Sequence, residues 1–91
     1  MKYLNETAAQ FSALGDPDRL AIMVCLMDGA HCVGTLAEQF GAGMSTVSQR
    51  LKVLHIARLV HKERRGKHIY YTVADQHVRN LIDNAFEHAG E

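Results

Sequence analysis

The stretch "TLAEQFGAGMSTVSQRLKVL" restricts the fold more than any other part of the chain. Leu36, Ala37 and Phe40 recur at helical spacing, as do Val47, Leu51 and Leu54, and only Gly41-Ala42-Gly43 separates the two runs. A break that short and that rich in glycine is a tight turn between two helices that must cross and pack. Thr35 and Glu38 have capping-box spacing for the first of them. This is the layout of a helix-turn-helix, whose second helix enters the major groove of duplex DNA. The outer positions of that second helix are Ser45, Thr46, Ser48, Gln49, Arg50 and Lys52. Their hydroxyl, amide and cationic groups suit base edges and phosphates.

The segment that follows, "LVHKERRGKHIYYTV", changes period. Val60, Ile69, Tyr71 and Val73 read as strand positions, and Arg65-Gly66-Lys67 reads as a turn, which predicts a basic β-hairpin. A hairpin beside a recognition helix makes a winged helix, with Arg64, Arg65 and Lys67 placed to reach phosphates or a flanking groove. Charge supports a polyanion-binding face. Between Val47 and His68 there are seven Lys and Arg residues against Glu63 alone, while the whole chain is neutral, so the remainder is as acidic as this segment is basic.

Two helices are expected ahead of this unit. Leu4, Ala8, Phe11 and Leu14 line one face of a segment from about Tyr3 to Leu14 that Gly15 stops. In "GDPDRLAIMVCLMDG", Asp16 is placed to cap, Pro17 to occupy the first turn and Gly29 to end the run, with Leu20, Met23, Val24 and Met27 facing the core. A last helix is predicted in "ADQHVRNLIDNAFEHAGE", where Val78, Leu81, Ile82, Ala85 and Ala89 form one apolar stripe. His77, His88 and Glu91 lie along one edge of that stripe, and Gln76, Arg79, Asp83 and Glu87 on the solvated side. The two histidines share a face but stand eleven residues apart, roughly 16 Å along the axis, too far to hold one ion. An antiparallel copy of the helix would bring Asp75 and His77 of one protomer to His88 and Glu91 of the other. Two imidazoles and two carboxylates suit tetrahedral zinc, with cobalt or nickel as further candidates, at two interfacial sites per dimer.

The fold class expected is therefore mainly α with a small β-hairpin (α+β). It is a winged helix-turn-helix of order α-α-α-α-β-β-α, a single domain over residues 1–91 with dimerisation helices at both ends. Such a small chain gains from a second copy. Its longest apolar run, "LAIMVCLM", is too short to cross a bilayer, and neither a basic-plus-apolar leader nor a CxxC pair is present, so a cytoplasmic protein with reduced cysteines is expected.

The pieces "ALGDPDRLAIMVCL", "CVGTLAEQF", "STVSQRLKVL" and "LVHKERRGKHIYYTV", with the terminal Asp-x-His and His-x-x-Glu pattern, resemble the ArsR/SmtB family of metal-responsive winged-helix repressors. The resemblance implies a homodimer whose metal-free form binds palindromic operator DNA and whose zinc-bound form releases it. It implies Asp75, His77, His88 and Glu91 as ligands, and a coupling route from His88 to the recognition helix near Gln49. No enzyme activity, membrane partner or small organic substrate is expected. A second family site uses a cysteine near the start of the third helix, an acid and N-terminal donors. Cys32 matches the cysteine, but Thr35 stands at the acid position and the N-terminal segment has neither Cys nor His, so that site is expected to be absent. Gly43 and Met44 depart from the family, which usually has polar residues there. Two other regulators fit the fold: a thiol-responsive one using Cys25 and Cys32, neither with an evident activating neighbour, and a metal-blind DNA-binding dimer.

Overall fold

The computed structural model describes residues 1–91. Helices α1 (Leu4–Leu14) and α2 (Pro17–Met27) precede a two-residue strand, β1 (His31–Cys32). Helices α3 (Val33–Phe40) and α4 (Met44–Ile56), strands β2 (Val60–Arg65) and β3 (His68–Val73) and helix α5 (Gln76–Ala89) complete the chain. The expected winged helix-turn-helix is present, with β1 added. No helix is long and apolar enough to cross a membrane.

Local chemistry sets several of the boundaries. The Asp16 side chain accepts the Arg19 N–H at 3.0 Å, and Pro17 follows at the first helical position, where no donor is lost. Between α3 and α4 the chain turns through Gly41, whose φ of 61° lies in the left-handed region that glycine enters without a Cβ penalty. The capping box expected from Thr35 and Glu38 is not formed. Helix α3 begins three residues earlier, with Cys32 as its N-cap and no side-chain cap bond, where Cys32 ends the β1 pairing to β3. The Thr35 hydroxyl instead lies 3.2 Å from the Cys32 thiol.

The sheet has the order β1-β3-β2, antiparallel throughout. His31 pairs with Tyr71, and Cys32 with Tyr70. Arg65 pairs with His68 across the wing turn, where Gly66 has φ 62°. Only Val60 and Val73, at the base of the hairpin, are buried; the rest of β2 is exposed, so the wing projects from the body.

One apolar core joins the elements. Ile22, Met23 and Leu26 of α2 meet Leu36 of α3, Val47, Leu51 and Leu54 of α4, and Leu59, each with no more than 1% of its surface exposed. Val47, Leu51 and Leu54 are the inward stripe expected for α4. The face of α2 differs from expectation. Met23 is buried, but Val24 is 40% exposed and Leu20 and Met27 are only partly covered, while Ile22 and Leu26 point inward. Helix α2 is apolar nearly all round, so periodicity could not select the face; crossing against α3 and α4 does. Arg79 also departs from the solvated side assigned to it. Its Nη1 donates to the carbonyl of Met27 at 2.9 Å, which satisfies an open acceptor at the C-terminus of α2 and ties α5 to it.

Candidate functional site

The recognition helix is held by its buried stripe, so its opposite side faces outward. Ser45, Thr46, Ser48, Gln49 and Lys52 are all exposed, as are Arg64, Arg65 and Lys67 on the wing. The fold thus brings the expected cationic and polar groups onto two adjoining projections. Three cations make internal contacts. Arg50 is half-buried, with Nη2 3.3 Å from Asp18 Oδ2, and Arg65 lies 3.3 Å from Glu63 with its guanidinium 5.0 Å from the centre of the Tyr70 ring. Arg64 Nε donates to the Gly66 carbonyl at 3.3 Å, which braces the wing turn.

A cleft of about 410 Å³ opens beside the helix, lined by Arg19, Ser45, Thr46, Gln49, Arg50 and Val53. The sequence reading missed Arg19. Its Nε and Nη2 donate to the carbonyls of Ala13 and Ser12 at 2.7 and 3.2 Å, fastening the end of α1 to the start of α2. No periodic signal marks that role; it depends on how the two helices meet.

The second cluster lies on α5. Asp75 caps the helix, with Oδ1 accepting the Val78 N–H at 3.1 Å, and the same oxygen stands 3.7 Å from His77 Nδ1. At the other end His88 Nδ1 is 3.4 Å from Glu91 Oε2. The four side chains are 56–96% exposed, so the fold leaves them open to further partners. They form two separate pairs, and no three His, Cys, Asp or Glu side chains of one chain converge on a metal-sized point. Within the chain His88 meets Glu91 rather than Gln49.

Between these pairs runs an apolar groove. Phe11, Leu14, Leu20, Leu81, Ile82, Ala85, Phe86 and Ala89 line it without one polar side chain. Phe11 and Phe86 are 57% and 51% exposed. Phe86 is a second residue that sequence reasoning missed, although its place four residues after Ile82 was the available signal.

The two thiols have different surroundings. Cys25 is partly buried and donates to Gln39 Oε1 at 3.2 Å; burial pushes its pKa up, against that hydrogen bond. The hydrogen bond between Cys32 and Thr35 draws the Cys32 thiol below its ordinary value. The sequence did not disclose this contact with Thr35. The thiols have no disulfide between them.

Together, the crossing helices, the projecting hairpin and the polar outer face define a winged helix-turn-helix domain. Residues 16–62 match the bacterial regulatory proteins of the arsR family. A transcriptional repressor SmtB homolog from Synechocystis sp. is 41% identical over 86 residues, which cover 94% of this chain and 65% of that protein. The regulator NmtR of Mycobacterium tuberculosis is 39% identical over 84 residues, covering 92% of this chain and 70% of that one. A homodimeric winged helix-turn-helix DNA-binding domain from Mycobacterium bovis, described as a possible ArsR-family regulator, superposes with a TM-score of 0.94. It is 31% identical, over 97% of this chain and 82% of that one. The chain belongs to the ArsR family of bacterial regulatory proteins. It spans less than two thirds of the length of the Synechocystis protein.

Proposed function

We propose that the chain acts in the cytoplasm as a homodimeric metal-sensing repressor: the metal-free dimer holds duplex operator DNA, and a divalent ion at the dimer interface weakens that hold. The observation that carries this reading is the division of four N/O donors into two exposed pairs at opposite ends of one helix, Asp75 with His77 and His88 with Glu91. Each pair alone is half a tetrahedral site, and an antiparallel second copy supplies the other half twice per dimer. The groove along α1 and α5 gives that copy an apolar surface to cover. The donor set has imidazole and carboxylate but no thiolate, which suits zinc, with cobalt or nickel behind it.

An ion changes DNA affinity only through unequal affinity for two dimer shapes. A coupling of about 1–3 kcal/mol would weaken DNA binding roughly 5–150-fold. The connection assigned to this chain runs from His88, whose ring nitrogen not used for the ion is free to donate, to the recognition helix near Gln49. The reading is supported by the names of the relatives, repressors among them, and by the exposed cationic wing and recognition helix.

The test is fluorescence anisotropy on a duplex selected in vitro from a random pool, with chelator or with zinc, for the wild-type chain and His88→Gln. Zinc is expected to lower the wild-type affinity within the stated range at one ion per protomer, and to leave His88→Gln bound. Equal wild-type affinity with and without zinc would remove metal sensing and leave the metal-blind dimer. Full release by His88→Gln would remove both the coupling route and His88 as a ligand, while metal sensing itself would stand.

A further inference from the structure

The first residue of the recognition helix is a methionine, and it belongs neither to the buried core nor to the apolar residues packed against it. Met44 opens α4 with 59% of its surface exposed, while Val47, Leu51 and Leu54 fill the core side of the same helix. It is absent from the apolar groove of α1 and α5, so the proposed dimer contact does not account for it. Its neighbours outward are Ser45 and Ser48, both exposed. The residue before it, Gly43, is an N-cap with extended backbone and no side-chain cap bond, and the space where its Cβ would stand is open. The N-terminal approach to the helix therefore presents one long apolar side chain, more than half exposed, beside hydroxyl groups.

In a recognition helix the N-terminal residues meet base edges. The major-groove edges of the four base pairs display hydrogen-bond donors and acceptors and a single apolar group, the thymine 5-methyl. Methionine offers neither donor nor a strong acceptor, but its unbranched thioether chain adapts to an apolar contact. We infer that Met44 is a specificity-determining residue that selects a thymine in each operator half-site by covering its 5-methyl group. A polar side chain at this position would read a different edge. The inference rests on the DNA-binding reading above and adds to it a base and the group on that base.

Replacing thymine by deoxyuridine removes only the methyl, so the contact can be measured as a coupling. Duplexes enriched from a random pool would be remade with deoxyuridine at one thymine pair at a time, symmetrically in both half-sites. Anisotropy of the metal-free wild-type, Met44→Ser and Met44→Leu chains would then be compared on each. At one thymine per half-site, loss of the methyl should weaken wild-type binding roughly fourfold per half-site, the factor expected for one buried methyl group. Met44→Ser should lose a similar factor on the thymine duplex and nothing more on the deoxyuridine duplex. Met44→Leu, still apolar, should keep the methyl sensitivity. If the loss from deoxyuridine is the same in Met44→Ser as in wild type at every thymine, or if no thymine matters, the inference is overturned while DNA binding stands. Failure to enrich or bind any duplex would remove the DNA-binding reading and this inference with it.

Discussion

Replacing Phe86 by alanine should weaken dimerisation without unfolding the protomer. Phe86 is 51% exposed in the single chain and stands outside the set of fourteen buried residues, so about half of its surface remains available to a second copy. Complete burial of a phenylalanine side chain is worth about 1.5–3 kcal/mol. Half of that, taken once from each protomer of a symmetric dimer, gives about 1.5–3 kcal/mol. The dimer dissociation constant should therefore rise roughly 10- to 150-fold. Sedimentation equilibrium over a range of protein concentrations reads this directly, and thermal unfolding by circular dichroism at high concentration checks that the fold persists. An unchanged dissociation constant in a folded Phe86→Ala chain would refute the use of this groove as the dimer surface. Phe11→Ala, at 57% exposure across the same groove, should act in the same direction, and the pair should fall short of additivity if the two rings touch the same partner surface.

Arg79→Met keeps much of the stem but removes the bond to the Met27 carbonyl, and should cost about 1.5–3 kcal/mol by urea unfolding at a protein concentration where dimerisation is saturated. Asp75→Asn should leave metal-free stability nearly unchanged, since asparagine also caps, yet weaken zinc binding in a competition titration with a chromophoric chelator; Asp75→Ala should lose both, with about 1 kcal/mol of stability. The thiols should separate by alkylation rate. A depressed pKa puts more of Cys32 in the thiolate form at neutral pH, so iodoacetamide should modify it before Cys25, and Thr35→Val should slow Cys32 alone, as read by peptide mass spectrometry.

Elements whose two sides differ are legible in the sequence. Helix α4 is polar on one face and apolar on the other, so Val47, Leu51 and Leu54 announce the core and Ser45, Thr46, Ser48, Gln49 and Lys52 announce the surface. Helix α2 is not legible in this way, because nearly every position from Leu20 to Met27 is apolar and tertiary packing alone distinguishes Ile22 from Val24. Strand β1 is invisible for another reason. Two residues cannot show alternation, and the partner of His31 and Cys32 is β3, far along the chain. That pairing also moves the start of α3 and leaves Thr35 to bond a thiol instead of capping a helix. Arg79 and Arg19 illustrate the same limit: each is a cation whose partner is a carbonyl at the end of another helix, and carbonyls carry no sequence signal.

The donor pairs on α5 are legible as positions on a helical wheel, while the distance across the interface belongs to two chains. This division bears on how the proposed sensor would work. The apolar stripe and the donors occupy one helix, with His77 and His88 along the stripe's edge, so a movement of α5 against its copy alters both contacts together. The two contacts differ in tolerance. Packed helices at an interface shift by about 1–2 Å between functional states. Metal–ligand distances hold to about 0.2 Å. A shift that the alanine and leucine side chains of the groove can absorb would therefore break a four-ligand site shared between chains. The ion would bind one arrangement and exclude the other, and the unequal affinity that an inducer needs follows from placing half of each site on each protomer.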